Sequence, residues 1–193
     1  MEENVKAVVI NKEDLRYNIE KIKEYAEKNL PDDNGKKVKI IAVIKANGYG
    51  LDIVEYSKFL IDNGIDYLAV ATIEEALKIR QAGITEKEAK ILMLSSTAIK
   101  EDIEKLVENN IVLTIGSKES AEEVEKVGQE LNKTIHVHLK IDTGFGRYGF
   151  IYTDREEMIK TIKPLKNIKI EGTFTRFSHI MMIITQKYNS TDF

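Results

Sequence analysis

One lysine, Lys45, stands where amine chemistry could occur. It follows five consecutive apolar residues, 40–44, in the stretch KIIAVIKANGYG. The β-branched residues of this run predict a buried strand, and the carboxyl end of a barrel strand is where enzymes place reacting groups. Burial there strips water from the amine and favours the neutral, nucleophilic form that a Schiff base requires. On position alone, the commoner explanation is a lysine that reaches solvent past the strand end.

A second candidate is the glycine loop GFGRYG, residues 144–149, which follows a strand-like run and has the spacing G-x-G-x-x-G. This spacing is typical of turns that bind the pyrophosphate of a dinucleotide. That fingerprint normally opens a helix at its third glycine, whereas the next helix is predicted to begin near Thr153. The glycines are better interpreted as letting the backbone turn closely so that Arg147 reaches the strand ends, beside Lys140.

A third candidate is the pair His136 and His138, whose side chains point the same way on a strand. Two imidazoles on one face could start a metal site, but the sequence offers no third ligand beyond Asp142. We therefore favour a structural role for these histidines and predict no metal.

These residues must be positioned by an alternation of strands and helices. Helix starts are predicted at Asn11, at Thr72 with Glu75, at Ser117 and at Thr153 with Glu156, and helix ends at Gly64 and Gly83. Between the helices, six strand-like runs cover residues 38–45, 66–71, 90–96, 111–116, 134–142 and 168–177. This spacing predicts parallel βαβ units, either in an open doubly wound sheet or in part of a (β/α)8 barrel.

The fifth run favours the barrel. His136, His138, Lys140 and Asp142 share one face of it, and Val137, Leu139 and Ile141 share the other. A central strand of a doubly wound sheet should be apolar on both faces, whereas a barrel strand has one face toward a lumen that accepts polar groups. An edge strand would also explain the pattern. The expected fold is therefore an α/β protein with an incomplete TIM-like (β/α)8 barrel, about six of whose eight strands are present.

Composition narrows the function classes. The chain has 193 residues, 29 Lys and Arg against 32 Asp and Glu, and no cysteine. The near balance of charges argues against a general binder of nucleic acid or anionic membranes. The missing cysteines exclude thiolate catalysis and disulfides. The amino-terminal stretch lacks the order of a signal peptide and no apolar run is long enough to span a bilayer, so a cytoplasmic protein is expected.

The letters around Lys45 carry a family resemblance. AVIKANGYG resembles the pyridoxal-phosphate attachment motif of alanine racemases, and LAVATIEEALKIRQAGI, VHLKIDTGFGRYGF and IEGTFTRFS continue the likeness. The blocks follow the family's order and spacing from about Val5 to Phe177. The resemblance implies a pyridoxal 5'-phosphate-dependent isomerase that interconverts L-alanine and D-alanine for peptidoglycan precursors. It also implies a homodimer, because a tyrosine from the C-terminal domain of the partner subunit supplies the second proton donor.

The same resemblance implies roles for four residues. Lys45 matches the catalytic lysine that binds the cofactor covalently. Tyr49 matches the tyrosine whose hydroxyl contacts the cofactor phosphate. Arg147 matches the arginine that binds the cofactor's phenolic oxygen near the substrate, and Lys140 matches a lysine that is carbamylated in many members and orients that arginine.

The chain departs from the family pattern near its end. Arg176 stands where the family usually has a histidine that helps to position the pyridine ring, so that contact is in doubt. From about Ser178 the likeness stops, which gives a partial barrel domain over residues 1–177 and an unrelated tail over 178–193. Because a shifted reading frame could restore a family-like helix from Ile180 onward, we hypothesise a truncation with a frameshift after about residue 176.

Two other functions stay open beside an alanine racemase. One is a racemase for another amino acid, and the other is a non-catalytic pyridoxal-phosphate carrier that shares the barrel, although such carriers lack the KANGYG form of the lysine motif. A dinucleotide-binding domain is suggested only by the glycine spacing. In each case we expect a small-molecule ligand and neither nucleic acid nor a membrane as partner.

Overall fold

The computed structural model describes residues 9–29 and 38–177, and the tail predicted for 178–193 lies outside them. The described helices are α1 (Lys12–Asn29), the short turn α2 (Lys45–Tyr49), α3 (Ile53–Asp62), α4 (Ile73–Gln81), α5 (Lys100–Glu108), α6 (Lys118–Glu130) and α7 (Arg155–Ile162). The strands are β1 (Ala42–Val43), β2 (Tyr67–Val70), β3 (Lys90–Ser96), β4 (Val112–Ile115), β5 (Ile135–Asp142), β6 (Phe150–Ile151) and β7 (Ile168–Phe174).

The strands pair in the order in which they occur along the chain. β1 pairs with β2, β2 with β3, β3 with β4 and β4 with β5, and β5 pairs with both β6 and β7, always in parallel. A doubly wound sheet would reverse its strand order at a switch point. Sequential parallel order with a helix between successive main strands is the arrangement of a barrel. The described residues therefore form the predicted α/β architecture, an incomplete barrel.

The two faces of the sheet differ, as the alternation of polar and apolar residues along the fifth strand predicted. Leu68, Ile91, Leu113 and Val137 belong to the main apolar core, which packs the sheet against the helices. A smaller apolar cluster on the other face contains Tyr67, Ala69, Leu92 and Val112, with Leu94 and Phe174 against it. This second face is the lumen side, and it also carries the polar residues of β5.

Most predicted helix ends are confirmed. The side chain of Asn11 accepts the N–H of Glu13, Thr72 and Glu75 form a capping box, and Ser117 caps α6. Gly64 and Gly83 follow α3 and α4 with left-handed backbone, φ 75° and 89°. These local signals work because each satisfies backbone groups that the helix itself leaves unpaired.

Two local predictions are wrong. The first strand is not 38–45 but only Ala42–Val43, because β2 is its single partner in the described residues and the backbone turns sharply after Ile44. Thr153 does not cap the seventh helix. That helix begins at Arg155 after Asp154, whose side chain makes no capping hydrogen bond. The short strand β6 is an addition that the sequence pattern did not indicate. Among the described residues, no helix is both long and apolar enough to cross a membrane.

Candidate functional site

A cavity of about 600 Å³ opens at the carboxyl ends of strands β2, β3 and β4. Lys45 enters it from the end of β1 and Arg147 from the loop after β5. No carboxylate belongs to its described lining, whose other residues are small, hydroxyl-bearing or aromatic apart from the aliphatic Leu94: Ala71, Leu94, Ser95, Ser96, Thr97, Ala98, Gly116, Ser117, Ser120 and Tyr148. A cavity with two cationic groups and no acid suits an anionic ligand.

Lys45 is placed by an unusual backbone turn. The residues from Ala46 to Gly50 all have positive φ, between 53° and 91°, a region that non-glycine residues rarely occupy. Asn47 holds the turn in place, because its side-chain oxygen accepts the N–H of Ile53 at 3.1 Å and an ammonium hydrogen of Lys78 at 3.2 Å. The turn therefore reverses the chain directly after the strand and leaves Lys45 in the cavity wall.

Tyr49 lies apart from this cavity. Its side chain is 61% exposed and is not among the residues that line the cavity. The structure therefore brings Lys45 and Arg147 to one cavity and leaves Tyr49 outside it on the same turn.

The glycine loop is organised around Asp142, the last residue of β5. Its carboxylate accepts backbone N–H groups from Gly144 at 2.9 Å, Gly146 at 3.1 Å and Arg147 at 3.0 Å. The bonds from Gly146 and Gly144 hold the pKa of the Asp142 carboxyl below its usual range. The amides that a bound phosphate would need are already taken by this carboxylate. The dinucleotide interpretation of the loop is therefore not supported by its geometry.

Lys140 is the largest fully buried side chain among the residues that the structure describes, with 2% of its surface exposed. Its Nζ donates to the carbonyl of Ile141 at 2.8 Å and lies 5.5 Å from the ring centre of Tyr148. Burial lowers the pKa of Lys140, and although the charge of Asp142 opposes this shift, that of Arg147 adds to it. The environment thus makes the neutral amine easier to reach than in an exposed lysine.

Two aromatic rings position Arg147. Its guanidinium carbon lies 5.2 Å from the ring centre of Phe145 and 5.8 Å from that of Tyr148. Since Tyr148 also lies beside Lys140, the same ring is close to both the buried amine and the arginine. The hydroxyl of Tyr148 donates to the carbonyl of Leu94 and fixes the ring at the cavity wall.

Arg176 reaches the same rim from the end of β7. Its guanidinium carbon lies 5.0 Å from the ring centre of Phe145. The neighbouring hydroxyls of Thr175 and Thr143 are 2.8 Å apart and join the ends of β7 and β5. Where the family pattern has a histidine, this chain therefore adds a cation beside Phe145.

The two histidines of β5 both face the lumen but have separate partners. His138 Nε2 lies 3.0 Å from the hydroxyl of Tyr67, whereas His136 Nδ1 lies 2.6 Å from a carboxylate oxygen of Glu171. Glu171 also binds the ammonium of Lys90 at 2.9 Å. Among the described residues, no group of three His, Asp or Glu side chains is arranged to hold a metal ion.

Two residues of the site were not singled out as such by the sequence. Asp142 was considered only as a metal ligand, although an aspartate two residues before a glycine is the pattern of a turn closed by the side chain. Tyr148 carried no separate signal, since only the folded chain shows its ring close to both Lys140 and Arg147.

Comparison with known proteins gives a consistent result. The family described as alanine racemase, N-terminal domain, matches residues 10–191. An alanine racemase of Methanococcus maripaludis is 44% identical over 143 residues, 74% of this chain and 37% of that protein. One of Carboxydothermus hydrogenoformans is 38% identical over 169 residues, 88% of this chain and 42% of that protein. This chain thus spans about two fifths of the length of these relatives.

Solved structures agree. An alanine racemase of Clostridium difficile in complex with cycloserine has a TM-score of 0.75 and 36% identity, covering 90% of this chain and 46% of that one. A histidine racemase of Leuconostoc mesenteroides has a TM-score of 0.72 and 25% identity, covering 87% of this chain and 42% of that one.

Proposed function

Because this chain belongs to the alanine racemase N-terminal domain family, a family of isomerases, we propose that it is the cofactor-binding part of an alanine racemase that uses pyridoxal 5'-phosphate. The observation that carries the proposal is the meeting of Lys45 and Arg147 in one cavity that no carboxylate of the described residues lines. In the whole protein the reaction would interconvert L-alanine and D-alanine in the cytoplasm for peptidoglycan precursors, with a homodimer as the working form.

The residues fit this cofactor. A volume of about 600 Å³ lies in the range of small-molecule sites, and the lining offers one primary amine, one guanidinium and no carboxylate that would repel a phosphate. When bound, pyridoxal phosphate supplies a conjugated ring that takes up the negative charge left at the α-carbon of an amino acid.

Lys45 would have two tasks. Its Nζ would hold the cofactor and, once released from that bond, would take or return the α-proton on the side of the substrate that it faces. Inversion needs a second proton donor on the opposite side. We assign that donor to the partner subunit's C-terminal domain, and this makes the homodimer part of the proposal.

Arg147, Lys140 and Tyr49 would orient the cofactor and the substrate. Arg147 would bind the phenolic oxygen of the cofactor and face the substrate. Lys140, as a carbamate, would carry a negative charge toward Arg147 and hold its guanidinium. Tyr49 would contact the phosphate, and its exposed ring makes the hydroxyl accessible to a ligand.

A racemase for another amino acid is the second candidate. It is favoured by the likeness to a histidine racemase over 87% of this chain, since the barrel then leaves the choice of substrate partly to other residues. Measuring α-hydrogen exchange of alanine and of histidine in deuterium oxide would separate the two substrates in a protein that carries both domains.

Cofactor attachment to the chain itself tests the core of the proposal. The chain is mixed with pyridoxal phosphate, the absorbance of the lysine-bound cofactor is recorded, borohydride fixes the bond, and peptide mapping locates it. We expect modification at Lys45 and its loss in Lys45→Ala. The control is Lys126→Ala, which removes an exposed lysine on α6 and should behave as the unchanged chain. Equal modification of many surface lysines would contradict the proposal.

A further inference from the structure

The loop from Thr143 to Tyr148 closes around an anion that the chain itself supplies. The N–H groups of Gly144, Gly146 and Arg147 converge on the two oxygens of Asp142, as backbone amides converge on a phosphate in an anion-binding nest. Asp142 is itself fixed from the other side, since its carbonyl accepts the N–H of Tyr152 at 3.1 Å. The carboxylate therefore binds both ends of the loop, Gly144 and Arg147, and the carbonyl of the same residue binds the chain beyond it.

The loop needs glycine at these positions because of the backbone conformation, and not because a side chain would lack space. Gly144 and Gly146 have φ of +109° and +73°, and a Cβ at either position would meet nothing within 4 Å. Left-handed backbone at these two points turns their N–H groups inward to one oxygen of Asp142. The geometry is thus built for the carboxylate.

We propose that Asp142 is a positioning residue for Arg147, an inference that rests on the proposed cofactor site. The bond from Arg147 N–H to the carboxylate fixes the point from which the arginine side chain starts. From there the guanidinium lies over Phe145 and Tyr148 at the cavity. Without the carboxylate, the three backbone N–H groups that point toward it would lose their acceptor, and the backbone of Arg147 would no longer be held in place.

The negative charge of Asp142 is the essential property. An asparagine has the same shape, but it offers one oxygen and directs an NH₂ group at donors. Asp142→Asn should therefore release part of the loop while leaving the strand intact. Asp154→Asn is the matched control, because Asp154 is exposed nearby and its side chain makes no capping bond.

Two measurements test the role. The one oxygen of asparagine can still accept from Gly144 and Gly146, whose N–H groups share Oδ1 of Asp142, whereas Arg147 binds the other oxygen. Amide hydrogen exchange at Arg147 should therefore become faster by about tenfold or more in Asp142→Asn, the effect of losing a hydrogen bond to a charged group, and stay unchanged in Asp154→Asn. Protection that persists in Asp142→Asn would overturn the inference. This result does not depend on any cofactor, so it separates the loop from the proposed function.

The second measurement is a cycle of pyridoxal phosphate affinities for Asp142→Asn, Arg147→Ala and the double variant. We expect each single variant to weaken binding by about tenfold and the double variant to be no weaker than Arg147→Ala. Effects that multiply would show that Asp142 acts apart from Arg147. If the unchanged chain does not bind the cofactor at Lys45, the proposed function fails and the exchange result still decides the loop.

Should Asp142→Asn not fold, the unchanged chain gives the answer by NMR. The amide signals of Gly144, Gly146 and Arg147 should shift together as acid titrates the carboxyl of Asp142, because all three bonds end on that group. Amide signals that do not respond to this titration would overturn the inference.

Discussion

The hydroxyl oxygen of Tyr67 lies 3.0 Å from Nε2 of His138, so strands β2 and β5 are joined across the lumen although β3 and β4 separate them in the sheet. Both side chains are buried. Lys140 comes two residues after His138, on the same face of β5. The contact between Tyr67 and His138 is therefore next to the buried amine of Lys140 along the strand. The apolar cluster on the lumen face thus includes a buried hydrogen bond on the strand that leads to the site.

This pair predicts a pH dependence of stability. Burial lowers the pKa of His138 below its ordinary value of 6.5, and it outweighs the opposing charge of Glu171. The unfolded chain then binds the proton first, so the free energy of unfolding should fall as pH drops from 6.5 toward the lower folded value. Urea unfolding at several pH values measures this. The double variant Tyr67→Phe with His138→Phe should flatten the slope, and a slope that survives it would contradict the assignment.

Lys140 is predicted to react with carbon dioxide. Its pKa is lowered by burial, and carbamylation needs a neutral amine, whose nitrogen bonds the carbon of CO₂ and loses one proton to solvent. Labelled bicarbonate should give a carbamate signal in carbon NMR that grows as pH rises. The signal should vanish in Lys140→Ala and remain in Lys126→Ala. A signal in Lys140→Ala as strong as in the unchanged chain would show that the carbamate is elsewhere.

Gly116 is predicted to tolerate no side chain. A Cβ there would lie 2.8 Å from Cδ2 of Tyr148, which is closer than side chains pack. Gly116→Ala should cost about 1–3 kcal/mol of stability, as overpacking does, and should weaken cofactor binding because the displaced ring lines the cavity. Adding Tyr148→Ala should recover part of the lost stability in urea unfolding. No recovery would mean that the clash is not with this ring.

Asn47 is predicted to hold Lys45 in its reactive place. Asn47→Ala removes the bonds to Ile53 and Lys78 and puts alanine at φ 53°, with an expected loss of about 1–3 kcal/mol. Asn47→Gly removes the same bonds but accepts the backbone, so it should be the milder change. Thermal unfolding and trapping of the cofactor at Lys45 measure the two effects. Equal stability of the two variants would contradict the backbone argument.

Glu125 is predicted to fasten α6 to the start of β7. This buried carboxylate accepts the N–H groups of Lys166 at 3.0 Å and Asn167 at 2.8 Å. Glu125→Ala should cost about 1–3 kcal/mol, because two backbone donors lose a charged acceptor. Glu122→Ala, which removes an exposed carboxylate on the same helix, is the control and should change little. Urea unfolding compares them, and equal losses would contradict the role of Glu125.

The 193-residue chain alone is predicted to have little racemase activity, since it spans about two fifths of its relatives and the second proton donor is assigned to the other domain. Optical rotation or coupled D-alanine detection on the pure chain with added pyridoxal phosphate measures this. Sustained racemisation would contradict the assignment of that donor.

The sequence was sufficient to predict most helices and strands and to predict which residues of β5 face the lumen. Alternation along β5 predicted which residues face the lumen, because side chains on a strand alternate whatever surrounds them. Capping at Thr72 and Ser117 was equally local. The placement of Lys45 at a strand end likewise needed only the apolar run before it.

Contacts between distant parts of the chain needed the folded structure. The approach of the Tyr148 ring to both Lys140 and Arg147 and the link from Tyr67 to His138 depend on how the sheet is assembled. The left-handed turn after Ile44 was likewise visible only in the folded chain. The loop around Asp142 lies between these cases. Its glycine spacing is visible in the sequence, but whether its amides receive a phosphate or a carboxylate depends on where the side chain of Asp142 lies in space.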